Sequence, residues 1–284
     1  MMVILGDTMI ELLHMSFMQN AVLASVFGGV CLSAIGVCVT LMEIPFLGIC
    51  MSHSAFLGAI VGLTCGFNPL LGALLACGLT GLLVGPIADH AGTSSNNILG
   101  IIFSAAMGLA FLLLARLPGP KSEALNLIWG SILTISRAEV AVLGAITAAV
   151  VLLLAVFYKE IRAVLFNREI AAASGIADGV FYYGIIVISG LVVSASLNIV
   201  GGLLIASLLV NPANAANQLC TRLWTLFVVA ALIAVGSCLI GLALSYCFEV
   251  PTGAVIVLVS SAAFLAAFIF SPRRRHSGAD KELP

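Results

Sequence analysis

His53 lies in the middle of an apolar run, IPFLGICMSHSAFLGAIVGLTC, residues 44–65. Cys50 precedes it by three positions, which on a helix places the two side chains on neighbouring positions of one face. Met42, Phe46 and Leu57 extend that face by steps of three or four. Imidazole and thiolate suit zinc, copper or ferrous iron. In a two-fold assembly the pair would appear twice, giving two sulfurs and two nitrogens, a set that zinc accepts tetrahedrally. The thiol must lose a proton to bind, so affinity would fall at low pH. The plainer alternative is a packing histidine bonded to a neighbouring carbonyl, with Cys50 a small apolar packer. Glu11 and His14 form a second pair at helical spacing near the N-terminus. They could hold an entering metal, or be two solvated groups of an interfacial helix.

The elements that must position these residues are membrane spans. The chain has 284 residues, 62% apolar and only 8% charged, against about 25% charged in soluble domains. The mean hydropathy is +1.24. This composition excludes a large soluble domain, and the net charge of −1 gives no footprint for nucleic acid. No positive segment, apolar core and small-residue cleavage site opens the chain, so no cleaved signal peptide is expected. Nine apolar runs approach spanning length: 15–40, 44–66, 68–88, 97–117, 138–158, 179–198, 199–219, 223–247 and 251–270. The expected fold is all-α and polytopic, one transmembrane domain over 1–272 with a basic tail over 273–284. Residues 121–136 suit a short interfacial or re-entrant helix anchored by Trp129.

Charge sets the expected orientation. Lys159, Arg162, Arg168, Arg222, Arg273, Arg274, Arg275 and Lys281 mark one side, against Arg116, Lys121 and Arg137 on the other. The positive-inside rule puts the first set in the cytoplasm. Nine spans then leave the N-terminus outside and the C-terminus inside an inner (plasma) membrane. Asp89 and His90 fall in a cytoplasmic loop on this reading. The longest such loop, 159–179, mixes charge with apolar residues at helical spacing: Ile161, Val164, Leu165 and Ile170. That pattern suits a helix lying on another protein or on the membrane surface, and Leu165 with Phe166 are the best-placed anchors.

Other chemistries are poorly supplied. The cysteines are scattered without a CxxC, and there is no GxxxxGK[ST] and no HExxH. Ser52 adjoins His53 and so points to a different face, which disfavours an intramembrane protease. The spans carry almost no acids, which disfavours an ion-gradient-driven secondary transporter. Glu249 sits at the end of its span as a snorkelling or pore-mouth group.

Five blocks, in order, resemble the permease subunits of the ABC-3 family, the membrane components of bacterial zinc, manganese and iron ATP-binding-cassette importers. They are SHSAFLGAIVG (52–62), ILGIIFSAAMGLA (98–110), LIWGSIL (127–133), FNREIAAASGI (166–176) and IVGGLLIASLLVNPANAA (199–216). The resemblance runs from about residue 20 to 270. It implies an ABC-3 permease fold with about nine transmembrane helices and no catalytic site of its own. It implies a second permease copy as a homodimer, a cytoplasmic ATPase dimer and an extracytoplasmic solute-binding protein. A divalent metal ion would be cargo, with no permanently bound cofactor. Leu165, Phe166, Arg168, Ala172 and Gly175 would contact the ATPase. Ser104, Pro212 and Asn214, with Ala213 and Ala215, would shape the pathway. Where the family has an Asp four residues before its His, this chain has Ile49; where many members have Arg or Lys before this helix, it has Met42 and Glu43. The missing carboxylate argues against manganese and for zinc, and leaves a metal-chelate or non-metal cargo open.

Overall fold

The computed structural model describes residues 15–116 and 135–271, and within them the ordered elements are eleven helices. They are α1 Ser16–Leu41, α2 Phe46–Cys65, α3 Pro69–Ala91, α4 Ser95–Arg116 and α5 Arg137–Val156. Two short helices follow, α6 Tyr158–Phe166 and α7 Arg168–Ala173. The remainder are α8 Asp178–Val200, α9 Gly202–Leu219, α10 Leu223–Phe248 and α11 Thr252–Ile269. Glu11, His14, residues 121–134 of the expected 121–136 segment, with Trp129, and the basic tail lie outside the described residues.

Eight of the nine expected runs form helices long and apolar enough to cross a membrane. The exception is α9, which has the length but not the hydropathy. Asn211, Asn214, Asn217 and Gln218 dilute its apolar content. Two expectations need correction. His90 is not in a loop, because α3 runs on to Ala91, and its Nδ1 bonds the Pro86 carbonyl at 2.9 Å. Nor is the helix expected through Ile161, Val164, Leu165 and Ile170 a single one. Asn167 is extended, and its Oδ1 accepts the Ile170 N–H at 3.0 Å, so the chain stops α6 and starts α7 afresh.

Local sequence explains other boundaries. Asn68 accepts the Leu70 N–H at 2.8 Å and Pro69 opens α3, where a missing N–H costs nothing. Ser136 and Glu139 form a reciprocal capping box on α5.

Burial ranks the helices. In α1 and α2, 72% and 67% of the most apolar window is enclosed, against 28% in α4, 22% in α5 and 17% in α11. Helix α2 packs on α3, α4, α8 and α9; α1 packs on α5, α8, α9 and α10. One close crossing joins α2 to α3. A Cβ on Gly58 would collide with the Gly72 carbonyl oxygen, and one on Gly72 with the Gly58 carbonyl oxygen. Lipid supplies no hydrophobic drive between helices, so close backbone approach of this kind holds them.

Candidate functional site

Between Leu47 and Gly62, four residues of α2 are not fully buried: Ile49, His53, Leu57 and Val61. They recur every four positions, so they form one stripe on an otherwise sealed helix. His53 is the polar member. Its Nδ1 is 2.9 Å from the Ile49 carbonyl oxygen. A carbonyl can only accept, so Nδ1 carries a proton, and in the neutral ring the lone pair is then on Nε2. The ring stands edge-on to Phe103 of α4, centroids 4.8 Å apart, and Phe103 stands edge-on to Phe46 at 5.6 Å. The carbonyl bond fits the packing alternative, and it is also how a ligating histidine is oriented for its metal.

Cys50 does not share this opening. It is 0% exposed, a member of the main core, with its thiol beside Ser54 and the Phe103 backbone. Other groups tie that sealed side to α3. Thr80 donates to Ser54 at 3.0 Å, and the Cys77 thiol donates to the Met51 carbonyl at 3.3 Å. Among the described residues no three His, Cys, Asp or Glu side chains group to hold a metal ion.

A helix break lies next to this region. Gly201, at φ +84°, is the single residue between α8 and α9. Glycine takes that conformation without steric cost. A Cβ on Gly202 would sit 3.7 Å from the Ser52 Cβ, so α9 begins against α2 one residue before His53. Interrupted helices beside a binding residue are a recurrent arrangement in transporters.

The expected pathway residues divide between two helices. Ser104 is exposed on α4 and donates to the Gly100 carbonyl at 2.9 Å. Pro212 is buried in α9, whereas Asn214 is half-buried and donates to the Val210 carbonyl at 2.9 Å. Helix α2 packs on both α4 and α9 and so stands between the two sets.

The expected coupling residues also separate. Phe166 projects, 84% exposed, and Leu165 is half-buried beside it. Ala172 and Gly175 are exposed, and Gly175 turns the chain at φ +82°. Arg168 instead braces the corner: its Nε and Nη2 donate to Asp178 at 3.1 and 3.0 Å, and its guanidinium lies 4.1 Å over the Tyr182 ring.

Sequence reasoning missed two features. Phe103 carried no signal, since it touches His53 only through tertiary packing. A polar cluster joins α9 to α11: Ser207 lies 2.8 Å from Ser260, and the Asn211 amide donates to Ser207, Ser260 and Ser261 at 3.0–3.1 Å. Its signal was present, a Ser and an Asn four apart on one helical face.

The model of the ABC 3 transport family matches residues 14–271. A manganese transport system membrane protein, MntC, of Halalkalibacterium halodurans is 29% identical over 264 residues, 93% of this chain and 90% of that one. A Haemophilus influenzae protein named "Probable iron transport system membrane protein" is 25% identical over 269 residues, 94% and 98% of the two chains. Among solved structures, PsaBC from Streptococcus pneumoniae in complex with Fab superposes with a TM-score of 0.86 at 24% identity. That superposition covers 99% of this chain and 100% of the other.

Proposed function

This chain belongs to the ABC 3 transport family, and from that premise we propose that it is the permease subunit of an ATP-binding-cassette importer carrying a divalent transition-metal ion inward. It is a transport subunit and not an enzyme; ATP hydrolysis belongs to a separate ATPase. One observation carries the site: His53 is the polar member of the open stripe of α2, with Nδ1 on the Ile49 carbonyl. Cys50 packs, and His53 is the metal contact. The described residues supply too few donors for a resting site, as a transport site must release its ion. A second copy, as a homodimer, would present a second imidazole.

The relatives reported above are named for manganese and iron. None of them is named for zinc, the cargo expected first from the donor set. Imidazole without a carboxylate suits ferrous iron as well as zinc, so ferrous iron satisfies both lines, with manganese next. A metal chelate is the second reading, favoured by the lack, among the described residues, of a three-donor group at His53. The ends of α1 and α9 and the starts of α6 and α10 meet at one end of the bundle, with Arg162 and Arg222. Lys159 and Arg168 belong to the same short-helix corner. We take that end as cytoplasmic, with the N-terminus outside, Phe166 and Leu165 docking the ATPase, and a solute-binding protein delivering the ion at the other end.

The test is reconstitution with the partner ATPase and measurement of metal-stimulated ATP hydrolysis and uptake for ferrous iron, manganese, zinc and a ferric chelate. His53→Ala should abolish stimulation by the preferred free ion with the protein still folded. Phe166→Ala should release the ATPase or uncouple hydrolysis from uptake. Full stimulation in His53→Ala would remove the metal site, and normal co-purification and uptake in Phe166→Ala would remove the docking assignment.

A further inference from the structure

At the end of the bundle where α6 meets α10 there is a cavity of about 590 Å³. Arg162 from α6 and Arg222 at the start of α10 both line it, with Tyr158, Trp224, Asn217 and Thr221. The ion pair found among the described residues is Arg168–Asp178, so neither cavity arginine has a carboxylate partner there. Two cations, an amide and a hydroxyl around one hollow make a site for an anion with several oxygens.

The surroundings identify the source of that anion. Tyr158 and Trp224 stand edge-on, centroids 6.3 Å apart, and Trp224 is 63% exposed. Such amphipathic rings sit at the headgroup level of a bilayer. From the cavity rim, Trp224, Val228 and Leu232 continue at steps of four, all exposed, up the membrane face of α10. A phosphate in the cavity would therefore have an apolar track for acyl chains attached to it. A free phosphate would not use the track, and an acidic protein segment would not need it. We propose that the cavity binds the phosphodiester headgroup of an anionic phospholipid, with its acyl chains along Trp224–Val228–Leu232. Leu165 and Phe166 line the same cavity, so the bound headgroup would lie under the coupling corner. The inference itself does not depend on which ion the chain carries.

Trp129 and Trp224 are the two tryptophans, so Trp129→Phe leaves Trp224 as the sole reporter in the full chain. This protein is placed in phosphatidylcholine vesicles containing increasing fractions of acyl-brominated phosphatidylglycerol or of acyl-brominated phosphatidylcholine. The anionic lipid should quench Trp224 at a mole fraction on the order of ten-fold lower, two basic side chains near a charged headgroup supplying that preference. Arg162→Gln with Arg222→Gln should equalise the two lipids, and Arg162→Lys with Arg222→Lys should retain the preference. Glycerol phosphate in solution should not displace the lipid. Equal quenching by both lipids in the chain with both arginines would overturn the proposal. So would a preference unchanged in the double Gln variant, or displacement by glycerol phosphate.

Discussion

Helix α2 has two faces put to different uses. On one side Cys50, Met51, Ser54 and Gly58 are buried, tied to α3 through the Thr80–Ser54 and Cys77–Met51 bonds and the Gly58–Gly72 approach. On the other, Ile49, His53, Leu57 and Val61 stay partly open. What separates them is whether a neighbouring backbone comes close enough to seal the surface. The sealed face fixes the helix, so the open face can hold one imidazole in a constant orientation without spending structure on it.

The comparison breaks most severely at the crossing. Gly58→Leu puts a branched side chain where the Gly72 carbonyl sits, and backbone cannot yield as a side chain can. The cost should exceed the about 1–3 kcal/mol of ordinary overpacking, seen as loss of the monodisperse peak on size exclusion. Gly58→Ala should be milder but still lower the melting temperature. On the open face the effect should change kind. His53→Ala should cut metal uptake by about ten-fold or more, with a melting temperature close to that of the parent. A large drop in melting temperature there would mean that His53 serves the fold.

Cys50 sharpens the contrast, because it is three residues from His53 but on the sealed side. Cys50→Ala should cost about 1 kcal/mol by leaving a small cavity, with uptake and metal preference unchanged. A shift in metal preference with Cys50→Ser would return it to the site. The smallest effect belongs to Thr80→Val, which removes the bond to Ser54. Side-chain bonds between helices in lipid average about 0.6 kcal/mol, so thermal unfolding should register it and uptake should not.

His53 was legible because an ionisable group in mid-span is rare enough to single out one residue. The side of α2 on which Cys50 would lie was not. Three positions are about 60° short of a full turn, so the pair straddles the edge between the faces, and only the placement of α3 decides where that edge runs. The helices themselves were read from apolar length, and α9 fell short of the hydropathy of a span through amides visible in the sequence. The split of 159–179 at Asn167 could have been read from an Asn followed by an acidic residue, a helix start. Phe103 beside His53 could not, because it comes from another helix.

The single glycine between α8 and α9 gives α8 the properties of a lever. Its foot is clamped where Arg168 grips Asp178 and covers Tyr182, and its head ends one residue before the helix that abuts Ser52. A rod of this length, about 35 Å at 1.5 Å per residue, swings its head through about 3 Å for a tilt of about 5° at the foot. Passed through the single residue Gly201, such an arc would reach the wall of α2 beside His53.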